Sequence, residues 1–234
     1  MALIKFGGGV IDARGSIGGN VFSRNRYGNY MRARTTPVNP QSSRQSAIRA
    51  IVASIAVIWN GTLTAVQRAA WGVFASNVPS TNKLGEVINL SGFNQFVKSN
   101  TVKLNAGLAS LAVAPTIFTL PGEDPDFTAA VDAGTGKVSV AFDTTRDWVD
   151  EDTGGLVVQV GIPVNPSIEY FNGPWRSAGI ILGDGATPPT SPDATLDCPF
   201  EVADGQKVFV RAKVLRADGR VSDWFRSDSI VATA

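Results

Sequence analysis

The sequence predicts an α+β protein of two domains: a Gly/Arg-rich arm of short β-strands with a small helical unit, then an all-β sandwich. Three observations carry this. The hydrophobic period is two over residues 5–34, three to four over 42–104, and two again from about Pro115. The charge is split: residues 1–105 hold 12 Lys+Arg against 2 acids, and residues 106–234 hold 9 against 18, so a net of +10 precedes a net of −9. The turn formers, 24 glycines and 13 prolines, are spread along all 234 residues, as in an ordered, strand-rich chain and unlike a disordered one. The boundaries that follow are an extended basic β arm over 1–40, a helical domain over 41–105, a linker over 106–114 and a sandwich over 115–234.

In the arm, "GGGVIDAR" (7–14) and "GGNVFSRN" (18–25) share a frame with an offset of eleven, a strand-plus-turn period. "YGNYMRAR" starts a third strand after a turn at Gly28-Asn29. Alternation sets Tyr30, Arg32 and Arg34 against Met31, Ala33 and Thr35, which predicts one aromatic and cationic face and one small or apolar face. Pro37 and Pro40 end the run. Strands this short bury little on their own and need a second body to pack against.

Three helices follow. "SSRQSAIRAIVASIAVIW" (42–59) places Ile48, Ile51, Val52, Ile55, Ile58 and Trp59 at helical steps and ends at Asn60-Gly61. Thr64 and Gln67 fit a capping box for a second helix, ending near Asn77, with Val66, Ala70, Val73 and Phe74 as its buried side. A third starts at Ser91, with Phe93, Phe96, Val97 and Leu104 on one side. Beyond Pro115, seven runs of period two, separated by Gly, Asp, Pro and Asn, read as a β-sandwich.

The last of these runs, "DGQKVFVRAKVLRADGRVSDWFRSDSIVA" (204–232), resembles the closing hairpin of a fibronectin type III or related immunoglobulin-like domain. Val208, Val210 and Ala212 alternate, Asp218-Gly219 makes the turn, and Ser222 and Trp224 follow. The tyrosine usual at the start of this strand is replaced by Val208 or Phe209, and Trp148 is the nearest candidate for the early-strand tryptophan. The resemblance covers about half the chain and implies a fold, not a function. The first half, through "G-x-V-F-S-R-N-R-x-G-x-Y-x-R", "P-V-N-P-Q-S", "L-T-A-V-Q-R-A-A-W" and "F-N-Q-F-V-K-S-N", resembles uncharacterised proteins of bacterial, prophage and phage genomes. That resemblance implies a virion part.

Little in the chain suggests catalysis. It has no histidine and one cysteine, Cys198, which excludes an internal disulfide and reads as a small buried hydrophobe. No nucleophile elbow, phosphate-binding loop or Cys/His metal spacing is present. Asp147, Asp150, Glu151 and Asp152 supply clustered oxygens of the kind calcium takes, but at no EF-hand spacing; a solvated loop is the favoured reading. No catalytic site, cofactor or metal is expected, and a carbohydrate-active enzyme is the weakest alternative. With no signal peptide and no membrane-length apolar run, the product is expected to be made and kept in the cytosol.

The informative segment is 17–40, with four arginines, three aromatics and no acid. Phe22, Arg24, Arg26, Tyr27, Tyr30, Arg32 and Arg34 are the candidate anchor. Such a mix suits single-stranded nucleic acid. It equally suits protein carboxylates, and seven of the eight cations in residues 1–50 are arginine, the residue favoured at protein interfaces. The expectation is therefore a non-enzymatic structural protein of a large assembly, a tailed-phage virion component of the capsid-decoration or head–tail accessory kind. Its partners would be capsid or tail proteins or further copies of itself, with nucleic acid less favoured and no membrane. It would be assembled in the host cytoplasm and end in the virion. The alternatives are a subunit of a bacterial surface filament or adhesin, extracellular or at the cell surface, and a nucleic-acid-binding protein.

Overall fold

The computed structural model describes residues 2–35, 38–82 and 84–233. Pro37, expected to end the third strand of the arm, lies outside them. The protein mixes helix and sheet: mostly strands, in several sheets, with three α-helices among the described residues.

The chain opens with β1 (Ala2–Ile4), β2 (Gly15–Ile17), β3 (Asn20–Asn25) and β4 (Gly28–Ala33), which form one antiparallel sheet in the order β1-β4-β3-β2. Gly18 and Gly19, at φ 54° and 84°, make the two-residue turn between β2 and β3, a conformation that only glycine adopts freely at both positions. The eleven-residue frame is corrected to ten. The matching turn is Gly8-Gly9, and residues 10–14 continue as irregular chain with Ile11 90% exposed. The next turn falls two residues early, at Arg26-Tyr27, so Gly28 and Asn29 already pair within β4.

Next come α1 (Ser43–Val57), α2 (Ala65–Asn77), the short hairpin β5 (Ser80–Thr81) and β6 (Val87–Ile88), and α3 (Gly92–Asn105). Each helix starts on a hydroxyl cap, at Ser42, Thr64 and Ser91. At α2 the box is complete: Thr64 Oγ1 accepts from the Gln67 N–H at 3.2 Å, and Gln67 Oε1 accepts from the Thr64 N–H at 2.8 Å. Thr64→Ala is expected to lower stability by about 1 kcal/mol in a urea titration. At its far end α1 departs from expectation. Asn60-Gly61 does not stop it but sits inside one π-turn, Ile58–Thr62, closed by the Leu63 N–H on the Ile58 carbonyl at 3.0 Å.

The helical core gathers Ile55, Leu63, Trp71, Phe74, Val78 and Phe96. Two of the side chains assigned to it, Val66 and Val73, are exposed, as is Val52 of α1. Trp71 takes the place instead, because its indole Nε1–H reaches the Ala112 carbonyl at 3.1 Å while its rings fill the space between Phe74 and Phe96.

The rest of the chain forms β7 (Thr128–Asp132), β8 (Lys137–Ala141), β9 (Gly155–Gly161), β10 (Trp175–Leu182), β11 (Asp193–Asp197), β12 (Lys207–Val208), β13 (Val210–Leu215), β14 (Phe225–Arg226) and β15 (Ile230–Val231). Every one of the seven expected runs holds a strand. The sixth is divided at Phe209, where the chain changes partner from β15 to β9, a device by which one strand serves two sheets. The sheets β10-β9-β13-β14 and β11-β8-β7 share one apolar core: Val131, Val138 and Val140 from the second meet Val158, Val160 and Val210 from the first. Trp148 is buried there from the loop between β8 and β9, not from a strand, packed on Phe142 at 5.0 Å between centroids. Cys198 is half-buried against the same core, and burial pushes its thiol pKa up.

The helical unit docks on the outer face of β9 and β13. Val102 and Leu108 pack on Val157, Leu215 and Val221. Lys103, fully buried in α3, spans the junction, with its Nζ donating to the Ala217 carbonyl at 3.0 Å and to Thr153 at 3.4 Å. The segment expected as a linker, 106–114, is fastened along its length. The side chain of Asn100 holds Leu111 through both its N–H and its carbonyl, and Ala114 is buried.

Candidate functional site

Strand register decides what the basic arm presents. Residues directly opposite in an antiparallel pair share a face. Phe22 pairs with Met31, Arg24 with Asn29, Val21 with Arg32 and Ser23 with Tyr30. With β1 added, one face carries Ile4, Phe22, Arg24 and Met31, and the other Leu3, Val21, Tyr30 and Arg32. Arg26 and Tyr27 sit at the tip between them. Arg34 follows β4, its N–H donating to the Gly19 carbonyl at 2.7 Å. The single aromatic and cationic face is thus corrected. Tyr30 and Arg32 share one face, but Arg24 lies with Phe22 on the Met31 side expected to be small or apolar, so both faces mix apolar with cationic groups.

None of residues 2–35 is buried, and among the described residues no apolar cluster includes one before Ile51. The contacts that tie the sheet to the helical unit are polar and peripheral. Asn94 Nδ2 donates to the Tyr27 hydroxyl at 2.7 Å, and Lys5 pairs with Glu86, whose carboxyl is held below its ordinary pKa by that bond and by Asn82. Asn94 and Glu86, which make these contacts, are not legible in the sequence, because no local signal marks either. Among the described residues, Arg24, Arg26, Arg32 and Arg34 have no ion-pair partner. The outer edge of β2 is exposed at all three residues, with unpaired backbone groups along it.

Family models, curated proteins and solved structures give no match to the chain. Function is therefore read from geometry. Three of the four acids of the loop are engaged within the chain: Arg216 donates to Glu151 at 2.6 Å and to Asp147 at 2.8 Å, and Asp152 accepts from the Gly185 N–H. Among the described residues, no three His, Cys, Asp or Glu side chains converge as metal ligands, and no helix is long and apolar enough to cross a membrane.

Proposed function

We propose that the chain is a non-enzymatic structural subunit of a large assembly, a tailed-phage virion component of the capsid-decoration or head–tail accessory kind. Its N-terminal sheet is the anchor, its helices the platform, and its C-terminal part an outward immunoglobulin-like sandwich. One observation carries the reading: a four-stranded sheet of about thirty residues without a single buried side chain. Ordering a residue costs about 1–2 kcal/mol of backbone entropy, and burial has to offset it. A sheet gains that burial by covering a face. Here neither face is buried within the chain, and each offers apolar side chains beside unpaired arginines. A second polypeptide with exposed carboxylates completes both terms, through area removed from water and bidentate Arg–carboxylate pairs. The free edge of β2 adds a place for strand addition. Spreading cations over both faces favours enclosure by protein over a single groove that tracks a phosphate backbone.

The test is deletion of residues 1–36. The remainder is expected to fold with unchanged cooperativity, since it loses no core residue, and to be missing from assembled particles. Two charge reversals resolve the faces: Arg24→Glu and Arg32→Glu should each cut incorporation, because both faces are covered. Normal occupancy of the truncated chain would reject the anchor.

A further inference from the structure

The outer face of the sheet β10-β9-β13-β14 is covered by α3 over only part of its area. Beside that contact, α3, the start of α1 and the strands enclose a cleft of about 730 Å³. Arg211 does not line the cleft itself but lies between two indoles that do, its guanidinium carbon 4.4 Å from the Trp175 ring centre and 4.3 Å from that of Trp224. Gln159 Oε1 fixes it, accepting from Nε at 3.0 Å and from Nη2 at 2.7 Å. Lys213 Nζ stands 4.7 Å from the Trp224 ring. Arg44 and Arg176 line the walls.

Among the described residues, no carboxylate lines this cleft. Glu123 and Asp223 border a separate depression that shares only Trp224 with it. The contrast with the rest of the C-terminal half is sharp. There, Lys207 has Glu169, Arg216 has Asp147 and Glu151, and Arg220 has Asp218. Buried Lys103 has three oxygens within 3.4 Å. Among the described residues Lys213 has no acceptor, and burial, then Lys98 and Arg211, push its ammonium down to about 8. Two other atoms of lining residues, Thr101 Oγ1 and Trp175 Nε1, are buried without partners. Half-buried cations without a counter-ion are unfavourable. In a half with 18 acids against 9 cations, the missing carboxylate is not for want of supply.

We infer that this cleft is a binding site for a compact anion bearing two or more carboxylate or phosphate groups. Its volume lies in the range of small-molecule sites. Arg44 and Arg176 carry planar forks suited to oxyanions, and Lys213 adds a point charge. Trp224, 36% exposed, is a flat apolar rim. A long polyanion is disfavoured, because beyond the cleft it meets the negative field of the same half. The groups can arrive on a free molecule or as a cluster of Asp and Glu side chains on a neighbour.

The experiment is calorimetric titration of the full chain at low salt with citrate, pyrophosphate and hexaglutamate, with single-stranded DNA as the long-polyanion control. At least one compact probe should bind one to one. Arg176→Gln and Lys213→Met should each weaken it roughly ten- to a hundredfold, the loss of a charge-assisted hydrogen bond. Near pH 8 binding should also take up protons, since an anion restores the ammonium of Lys213 against Lys98 and Arg211, and Lys213→Met should abolish that uptake. Arg176 is exposed and guards the test against misfolding. Citrate or pyrophosphate alone assigns a free ligand, hexaglutamate alone a neighbour's side chains, and either upholds the site. Failure of all three, equal binding by both variants, or cleft-dependent binding confined to DNA overturns it.

Discussion

Trp71→Ala is expected to lower the unfolding free energy by about 4 kcal/mol, the largest loss of any single truncation in the helical unit. The side chain is fully buried, with Phe96 at 5.3 Å and Phe74 at 6.0 Å in edge-on contact. Alanine would leave a cavity bordered by both rings. It would also orphan the half-buried Ala112 carbonyl, a loss toward the lower end of the roughly 1–3 kcal/mol that a fully buried acceptor costs. That carbonyl belongs to the 106–114 segment, so the indole ties the helices to the connection that leads into the strands. The helical core is small, and collapse around the gap has few side chains to draw on. Urea titration followed by circular dichroism reads the effect as a lower midpoint at constant slope. Trp71→Phe, which keeps part of the ring volume but not the N–H, should fall about halfway. A loss below about 1 kcal/mol for the alanine variant would mean that Trp71 does not organise this core.

What could be read from residue order alone follows the range of the interaction. The capping box at Thr64 and Gln67 is local, and the start of α2 is where it was placed. The runs of period two beyond Pro115 are local as well, and each contains a strand. The faces of the arm are not local. They depend on which residue opposes which: the pairing of Phe22 with Met31 and of Arg24 with Asn29 sets both on the face away from Tyr30 and Arg32, and nothing within β3 alone fixes that. Helix α3 shows the same limit. Gln95, Ser99, Asn100 and Lys103 are polar, yet all four are buried: Asn100 and Lys103 find partners at residues 111, 153 and 217, far off in the chain, while among the described residues Gln95 Oε1 and Ser99 Oγ have none. The cleft was beyond reach for a further reason. Arg44, Arg176 and Lys213 come from three distant stretches, and a count of net charge over the C-terminal half averages its cations away.

Lys213→Met is expected to stabilise the protein by about 2 kcal/mol at pH 7 while removing anion binding. In the unfolded chain this lysine titrates near 10.5, and in the folded chain at about 8. Below pH 8 both forms carry the proton, and the fold bears the full penalty of the half-buried charge. At about 1.4 kcal/mol per pH unit this is at most about 3.4 kcal/mol. Solvent that still reaches the ammonium, and about 0.5–1 kcal/mol of cation–π attraction to Trp224, reduce it. Between pH 8 and 10.5 the unfolded chain holds the proton and the folded chain has released it, so the wild-type protein should gain stability as pH rises through this window. Methionine keeps an unbranched stem against the indole and adds a thioether contact. The variant should therefore be more stable at pH 7 and lack that part of the rise. Urea midpoints measured at pH 7, 8.5 and 10 for both chains separate this from general alkaline effects, which the two share. A Met variant less stable at every pH would show that the ammonium is well solvated or paired, and would remove the electrostatic argument for a ligand. A gain in stability together with lost binding is what a site held open for an external counter-ion requires: the fold carries an unfavourable charge that only the ligand neutralises.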